Sequence, residues 1–314
     1  MALVEEIKAL TRSLSGIGVD EQSVISTLGR WRPEHRHSFR KTCSAIFRPD
    51  GHHHTFERWN DDHIRQLEVE FARFRKAVIL RAMHPWERDA RGAHHVIHEG
   101  HPAAVLVEIA CTRSSEELLG ARRAYHALFH HSLEEDVAHR VKDLTADLLV
   151  RLVSAYRYEG PHVHEHTAKS EAKALGDALS GGKKLVEKGE VIRILTTRSK
   201  THLRLVFKYY KETYGRPLDE ALAGDPFLQE TVQCLDSPPK YFSKVLENAL
   251  RDDADEHAKE ALTGVIVTRA DVDMKEIKEE FQKLSGISLE GRIEKAIHGN
   301  YRDFLLNLVR DGSH

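Results

Sequence analysis

The chain has 314 residues, of which 40% are hydrophobic and 31% are charged, and its formal net charge is -2 with neutral histidines. This composition predicts a globular protein with a large buried core, and the balanced charge argues against a nucleic-acid-binding surface. No apolar run approaches the roughly 18 residues of a membrane span, and residues 1–6 carry acid where a secretory signal would carry basic residues, so we expect a cytosolic protein. The three cysteines are too few for a disulfide framework and are predicted to be small buried residues: Cys43, Cys111 and Cys234.

A glycine-containing loop is the first distinctive segment. Residues 14–21 read Leu-Ser-Gly-Ile-Gly-Val-Asp-Glu and follow an apolar-periodic helix through Ile7 and Leu10, whose last carbonyls lack helical partners. Ca²⁺ prefers six to eight oxygen ligands at about 2.3–2.6 Å, and glycine accepts the positive φ that turns carbonyls inward. Two glycines around one residue occur in many turns, so the motif alone is weak evidence for calcium.

The chain then repeats itself. A Thr-Arg pair ends at Arg113, Arg198 and Arg269, and a fainter copy surrounds Arg30, so the anchors lie 83, 85 and 71 residues apart. Matched residues follow the three clear anchors at offsets of five, twelve and twenty: Leu118, Leu203 and Met274; Tyr125, Tyr210 and Phe281; Leu133, Leu218 and Leu289. This register predicts an architecture of four repeats.

The segments around the anchors have helical periodicity. In residues 114–129, Leu118, Ala121 and Tyr125 share one face, and Ser114 with Glu117 three residues later forms a capping-box pattern. Segments 191–199 and 265–271 repeat a helix-break-helix arrangement. Because period-two alternation is absent, we predict an all-α fold.

A polar stretch at 158–167, which contains Gly160-Pro161, interrupts this rhythm and is predicted to be a linker. The predicted repeats span about 1–84, 85–157, 168–239 and 240–314 within a single core. We expect the first two and the last two repeats to form two halves that pack into one body.

Several motifs resemble the annexin family, and within it a divergent plant subgroup. The resemblance covers nearly the whole chain and is most specific at 85–90 (Pro-Trp-Glu-Arg-Asp-Ala), 111–114 (Cys-Thr-Arg-Ser), 155–158 (Ala-Tyr-Arg-Tyr), 234–235 with 240–242, and 299–306. It implies four repeats of about five helices each, packed as a slightly curved disc, with calcium sites on the convex face that bridge the protein to acidic phospholipids.

The resemblance also implies a ligand set for Ca²⁺ in repeat one. The carbonyls of Leu14, Gly16 and Gly18 match the family's loop ligands, and Glu70 is the best match to the distant carboxylate, with Glu68 as the alternative. Ile17 takes the loop-tip position, where an apolar side chain could reach lipid.

The other repeats depart from the family pattern, and we expect their calcium sites to be lost. Repeat two has Pro102 and lacks the second glycine of its loop, whereas repeat three carries Lys183 and Lys184, with its acid displaced toward Asp225. Repeat four has the glycine-free acidic segment 251–256, for which a solvated loop is favoured over a metal site through Asp252, Asp253 and Asp255, and Ala296 stands where the closing acid belongs. Lys183, Lys184 and Lys188 offer a separate attraction to an anionic leaflet.

The sequence therefore predicts a cytoplasmic, non-enzymatic protein that binds acidic membranes peripherally through Ca²⁺ in stress-linked calcium signalling. The alternatives are a calcium-insensitive helical scaffold, and a membrane binder driven by the 22 histidines, whose full protonation would move the formal charge from -2 to +20. A haem-type peroxidase through His35, His37 and 52–54 is less favoured. F-actin is a weak partner hypothesis because its tripeptide match at 192–194 lies in an apolar run, and other annexins are an equally weak one.

Overall fold

The computed structural model describes residues 2–49, 57–99, 103–142, 145–154, 157–181 and 189–311. In the first repeat these residues form α1 (Ala2–Ser13), α2 (Glu21–Leu28), α3 (Pro33–Thr42), β1 (Phe47–Pro49), β2 (Glu57–Trp59) and α4 (Asp61–Ala82). The second repeat has α5 (Pro85–Glu99), α6 (Ala104–Thr112), α7 (Ser115–Phe129), α8 (Leu133–Arg140) and α9 (Ala146–Val153). The third has α10 (Glu165–Ser180), α11 (Gly189–Thr197), α12 (Lys200–Tyr214), α13 (Leu218–Ala221) and α14 (Pro226–Asp236). The fourth has α15 (Pro238–Ala249), α16 (Glu256–Arg269), α17 (Met274–Ser285), α18 (Leu289–Ala296) and α19 (Gly299–Asp311).

The repeated apolar positions form the core of each clear repeat. All nine residues at the offsets of five, twelve and twenty from the repeated arginines are buried, with at most 4% of their surface exposed. Because burial of apolar surface is the dominant favourable term in folding, each copy of the repeat must keep apolar residues at these offsets. The three cysteines are also buried, as predicted, and none of the three forms a disulfide; burial raises the pKa of the Cys111 thiol to about 11.

The helix ends follow their sequence signals. Ser114 and Glu117 form the predicted capping box at the start of α7. The equivalent helices α7, α12 and α17 all end on a residue with positive φ, at His130 (61°), Gly215 (74°) and Gly286 (76°). Glycine adopts this conformation at little cost, whereas His130 accepts local strain to keep the same helix end.

The first repeat differs from the other three. Its described residues form four helices and an antiparallel pair of strands, in which Phe47 lies opposite Trp59. The single helix α4 stands where the later repeats have two helices. The α13–α14 break contains Gly224, α14 begins at Pro226, and α19 begins at Gly299 with φ of 67°. The 22 residues of α4 include neither glycine nor proline, so nothing in the sequence interrupts the helix.

The chain forms two compact units that group the repeats differently from the expected halves. One unit contains residues 1–82 and 242–314, and the other contains residues 83–241. In the first unit, the Phe74 ring of α4 meets the Phe304 ring of α19 with centroids 5.8 Å apart. Arg81 also donates two hydrogen bonds, of 2.6 and 2.8 Å, to Asp271. Repeat one therefore packs against repeat four, so chain order does not decide which repeats associate.

Residues 157–164 are not helical, and α10 starts at Glu165, inside the predicted linker 158–167. Among the described residues, no helix has both the length and the apolarity that crossing a membrane requires.

Candidate calcium site in the first repeat

The loop after α1 has the backbone conformation that its glycines predict. Gly16 and Gly18 have φ of +90° and +77°. A Cβ atom at position 18 would lie 2.7 Å from the carbonyl oxygen of His298, which is a backbone atom that cannot simply turn away. Gly18 is therefore required twice, for its conformation and for the close approach of another backbone.

This loop is docked onto repeat four. The carbonyl oxygen of Ile17 accepts a 3.0 Å hydrogen bond from the His298 N–H, and Ile17 forms an isolated parallel bridge with Ile297. The Ile17 side chain is only 6% exposed. The expectation that Ile17 reaches toward lipid is therefore wrong in this conformation, because the contact with repeat four buries the loop tip.

Three carbonyls of the loop stay available. No donor in the described part of the chain hydrogen-bonds the carbonyl oxygens of Leu14, Gly16 or Gly18. They belong to the three residues that the family resemblance implies as backbone ligands. Backbone carbonyls of this kind are suitable ligands for Ca²⁺.

The structure brings Glu70 to this loop across 52 residues of sequence. Its Oε2 atom accepts a 2.7 Å hydrogen bond from the Gly18 N–H, and the residue is only 4% exposed. Glu68 instead lies exposed beside Trp59 and Phe71, on a different face of α4. Of the two candidate carboxylates, Glu70 is the one in contact with the glycine loop.

Arg73 already occupies this carboxylate. Its Nε and Nη2 atoms donate hydrogen bonds of 2.5 and 2.9 Å to the two oxygens of Glu70, and Nη2 also donates a 2.6 Å bond to Glu256 of α16. Lys259 stands 4.0 Å from Glu70. Burial opposes the charged form of Arg73, but the hydrogen bond and charge of Glu70, with the charge of Glu256, outweigh it and raise the pKa of Arg73.

The cluster is therefore electrically balanced without a metal, with two carboxylates and two cationic side chains. The loop carbonyls fit a calcium site, whereas the Glu70 carboxylate fits one only after Arg73 releases at least one oxygen. Sequence analysis did not identify Arg73. The signal was present, since an acid and a base three residues apart lie side by side on a helix.

The loops of the later repeats offer less. In repeat four, Asp253 pairs with Arg251 at 2.9 and 3.1 Å, and Asp255 caps α16 by accepting a 2.8 Å bond from the Ala258 N–H. In repeat three, Asp225 caps α14. Pro102 of repeat two and the lysines at 183, 184 and 188 lie outside the described residues.

The repeated arginines also have structural partners. Arg113 donates bonds of 2.7 and 2.8 Å to Asp89, and Arg198 bonds Glu171, which also contacts the buried His202 at 2.9 Å. Arg269 instead bonds Asp273, which precedes the third helix of its repeat rather than lying in the first. Asp89 and Glu171 thus join the first helix of their repeat to the end of the second, whereas Asp273 joins the second helix to the third.

Other candidate sites gain no support. Within the described residues, no group of three or more His, Cys, Asp or Glu side chains could hold a metal ion. His35 and His37 lie in α3, while residues 52–54 are not described. Ile192 and Ile194 of the actin-linked tripeptide are buried in α11.

Comparison with known proteins identifies the family. The annexin family model matches residues 88–152, 171–226 and 241–308, which is more than half of the chain. The chain belongs to the annexin family. This annexin is 49% identical to Annexin D4 of Arabidopsis thaliana over 98% of its own length and 99% of that protein, which assigns it to the D4-like subgroup of plant annexins.

Solved structures agree with the fold. This annexin is 25% identical to chicken annexin V, with a TM-score of 0.68 over 98% of its own chain and 95% of that chain. The calcium-bound structure of annexin (Sm)1 is 18% identical, with a TM-score of 0.65 over 98% and 90% of the two chains. The all-α annexin repeat fold predicted from the sequence is thereby confirmed.

Proposed function

We propose that this annexin binds acidic phospholipid membranes peripherally from the cytoplasm, in a calcium-dependent manner, and acts in stress-linked calcium signalling. The observation that carries the proposal is the contact between the Gly18 N–H and the Glu70 carboxylate, which joins the glycine loop to the one acid that the family pattern requires. Annexin (Sm)1 has been solved with calcium bound, and its fold is that of this chain.

In this proposal the carbonyls of Leu14, Gly16 and Gly18 and the carboxylate of Glu70 hold Ca²⁺. Because Ca²⁺ takes six to eight oxygen ligands, the bound ion would also accept phosphate oxygens of a lipid head group. The protein contributes a loop whose conformation is fixed by two positive-φ glycines and by its hydrogen bond to His298, so little backbone ordering remains to oppose binding.

Arg73 competes with calcium for the Glu70 carboxylate. It must loosen its hold on Glu70, and Glu256 already accepts one of its hydrogen bonds and can retain it. Charge-assisted hydrogen bonds contribute about 1.5–3 kcal/mol each, so this exchange raises the calcium concentration needed. With a single proposed bridge, the annexin also forgoes the 10²- to 10⁴-fold avidity that linked sites typically provide, and we expect weak membrane binding.

The test is co-sedimentation with phosphatidylserine vesicles at pH 7.4 across a calcium series. We expect binding to rise with calcium in the wild type, to be lost in Glu70→Ala, and to persist in the matched control Glu68→Ala. Equal loss in both variants would contradict the assignment of Glu70.

A calcium-insensitive scaffold is the second candidate, and the Arg73–Glu70 pair favours it because this pair completes the site with an internal cation. Calcium-independent sedimentation of the wild type would select it over the proposal.

Acid-driven binding receives less support from the described histidines. His94 stacks on Phe129 at 3.8 Å and on His98 at 3.9 Å. Burial, aided by the charge of His98, lowers the pKa of His94 below 6.5. His94 therefore contributes stability above pH 6.5 that is lost as the pH falls through its lowered pKa. Mild acid should thus weaken this packing as well as charge the surface.

A further inference from the structure

The outward face of α4 carries an unusual share of exposed apolar surface. Four of the thirteen exposed large apolar side chains in the described residues lie on one side of this helix: Ile64, Phe71, Val78 and Ile79. Phe71 is 46% and Ile79 is 47% exposed. Such a concentration on one element of a folded protein marks an interaction surface rather than ordinary scattered exposure.

Ile64, Phe71 and Val78 recur every seven residues and therefore form one stripe along the helix. The stripe borders a groove of about 640 Å³, which Trp59 of β2 also lines. Glu70 and Arg73 are buried on another face of α4. This surface is therefore separate from the proposed calcium site.

Two charges lie on the same stripe. Glu68 and Arg75 are exposed and line the groove, and neither forms an ion pair within the described part of the chain. Their neighbours Arg65, Lys76 and Arg81 all do, with Asp62, Glu260 and Asp271. Glu68 and Arg75 are two helical turns apart, with the midpoint between Phe71 and Ala72.

We infer that this face binds a second copy of the chain, with the two α4 helices antiparallel and a twofold axis near Phe71 and Ala72. Such an axis places Glu68 of one copy at the level of Arg75 in the other, twice over, and Ile64 at the level of Ile79. The two Phe71 rings meet close to the axis. The face is self-complementary in charge, which is the property that a twofold interface requires and that an anionic lipid surface does not.

The face is short, which favours a weak and transient interface. From Ile64 to Ile79 the stripe extends about 22 Å at 1.5 Å per residue, which corresponds to the small end of specific interfaces. We expect a reversible dimer with a dissociation constant on the order of micromolar.

Sedimentation velocity of the full chain over a concentration series tests the inference. Glu68→Arg and Arg75→Glu each place like charges opposite one another and should raise the dissociation constant at least about tenfold. The double variant Glu68→Arg/Arg75→Glu restores both pairs and should recover the wild-type constant within about threefold. The control Arg123→Glu reverses an exposed charge on α7 and should leave the constant unchanged.

A wild type that stays monomeric at about 100 μM, well above the expected micromolar constant, would overturn the inference. So would two single variants that dimerise like the wild type. Vesicle binding that is lost in Phe71→Asp while the wild type remains monomeric would identify the face as a lipid contact instead. Dimerisation is measured without calcium, so its outcome is independent of the proposed calcium chemistry.

Discussion

The loops that follow the first helix of repeat one and of repeat four both lead to a second helix, but they are built from different residues. Both end on an aspartate that caps the next helix, Asp20 for α2 and Asp255 for α16. The first loop has two positive-φ glycines and three carbonyls without donors among the described residues. The second has more carboxylates but no glycine, and Arg251 and the cap of α16 already engage Asp253 and Asp255.

The comparison shows that the number of acidic residues is a poor guide to a calcium site. Carbonyls aimed by glycine and one carboxylate brought in from a distant helix are the ingredients in repeat one. Whether such a carboxylate can bind calcium depends on the other groups that already bind it, and at Glu70 that competing group is Arg73.

The largest effect on calcium-dependent vesicle binding should come from Gly18→Ala. The new Cβ would meet the His298 carbonyl at 2.7 Å in a backbone conformation with φ of +77°. We expect the free energy of unfolding to fall by about 1–3 kcal/mol and calcium-dependent vesicle binding to be lost. Gly264→Ala is the control, because a Cβ there meets nothing within 4 Å and alanine favours the helix. Wild-type vesicle binding by Gly18→Ala would show that the loop conformation is not needed.

Arg73→Gln should have the opposite effect on calcium binding, because it should lower the calcium concentration that vesicle binding requires. Loss of the guanidinium leaves a buried carboxylate less well paired, so the calcium-free protein should lose about 3–5 kcal/mol of stability. The calcium concentration for half-maximal vesicle binding should fall at least about tenfold, because Ca²⁺ no longer displaces a charge-assisted pair. Arg123→Gln, at an exposed position of α7, should change neither quantity. An unchanged calcium requirement in Arg73→Gln would refute the competition.

The two capping aspartates should have similar, smaller effects. Asp20→Ala and Asp255→Ala should each lower the free energy of unfolding by about 1 kcal/mol in denaturant titrations at pH 7. The hydrogen bond from Ser23 lowers the pKa of Asp20 below 3.8 against the opposing effect of burial. The stabilisation by Asp20 is therefore present above pH 3.8 and lost as the pH falls through the lowered pKa. A stability difference between wild type and Asp20→Ala that does not shrink as the pH falls below 3.8 would contradict this assignment.

The smallest effect should come from the acidic loop of repeat four. Asp252→Asn and Asp253→Asn remove carboxylates without altering side-chain size, and the half-maximal calcium concentration should stay within about twofold of wild type. A tenfold rise in either variant would establish a second calcium site there and remove the distinction between the two loops.

Much of the fold was predictable because it depends on local periodicity. The repeated apolar positions, the capping box at Ser114 and the glycine helix end at Gly286 are all visible in sequence. The pairing of repeat one with repeat four was not, because it depends on side chains that meet across some 190 residues, such as Arg81 and Asp271.

The candidate site was predictable only in part. The glycine loop and the two candidate carboxylates, Glu70 and Glu68, followed from the family pattern, but that pattern does not decide between them or show which groups neutralise the carboxylate. The uninterrupted α4 places Arg73 one turn after Glu70 on the same helix, and the contact with α16 adds Glu256 and Lys259. Both features follow from tertiary packing and from the absence of a helix breaker, which a motif match does not register.

Thermal unfolding across a calcium series, without lipid, tests the central claim most directly. A ligand that binds only the folded state stabilises it according to its saturation, with about 2.7 kcal/mol expected at a hundred times the dissociation constant. We predict that calcium raises the midpoint of the wild type, raises that of Arg73→Gln more, and leaves that of Glu70→Ala unchanged, with magnesium at equal ionic strength as the control. Equal calcium shifts in wild type and Glu70→Ala, or no shift in both wild type and Arg73→Gln, would contradict a calcium site at Glu70.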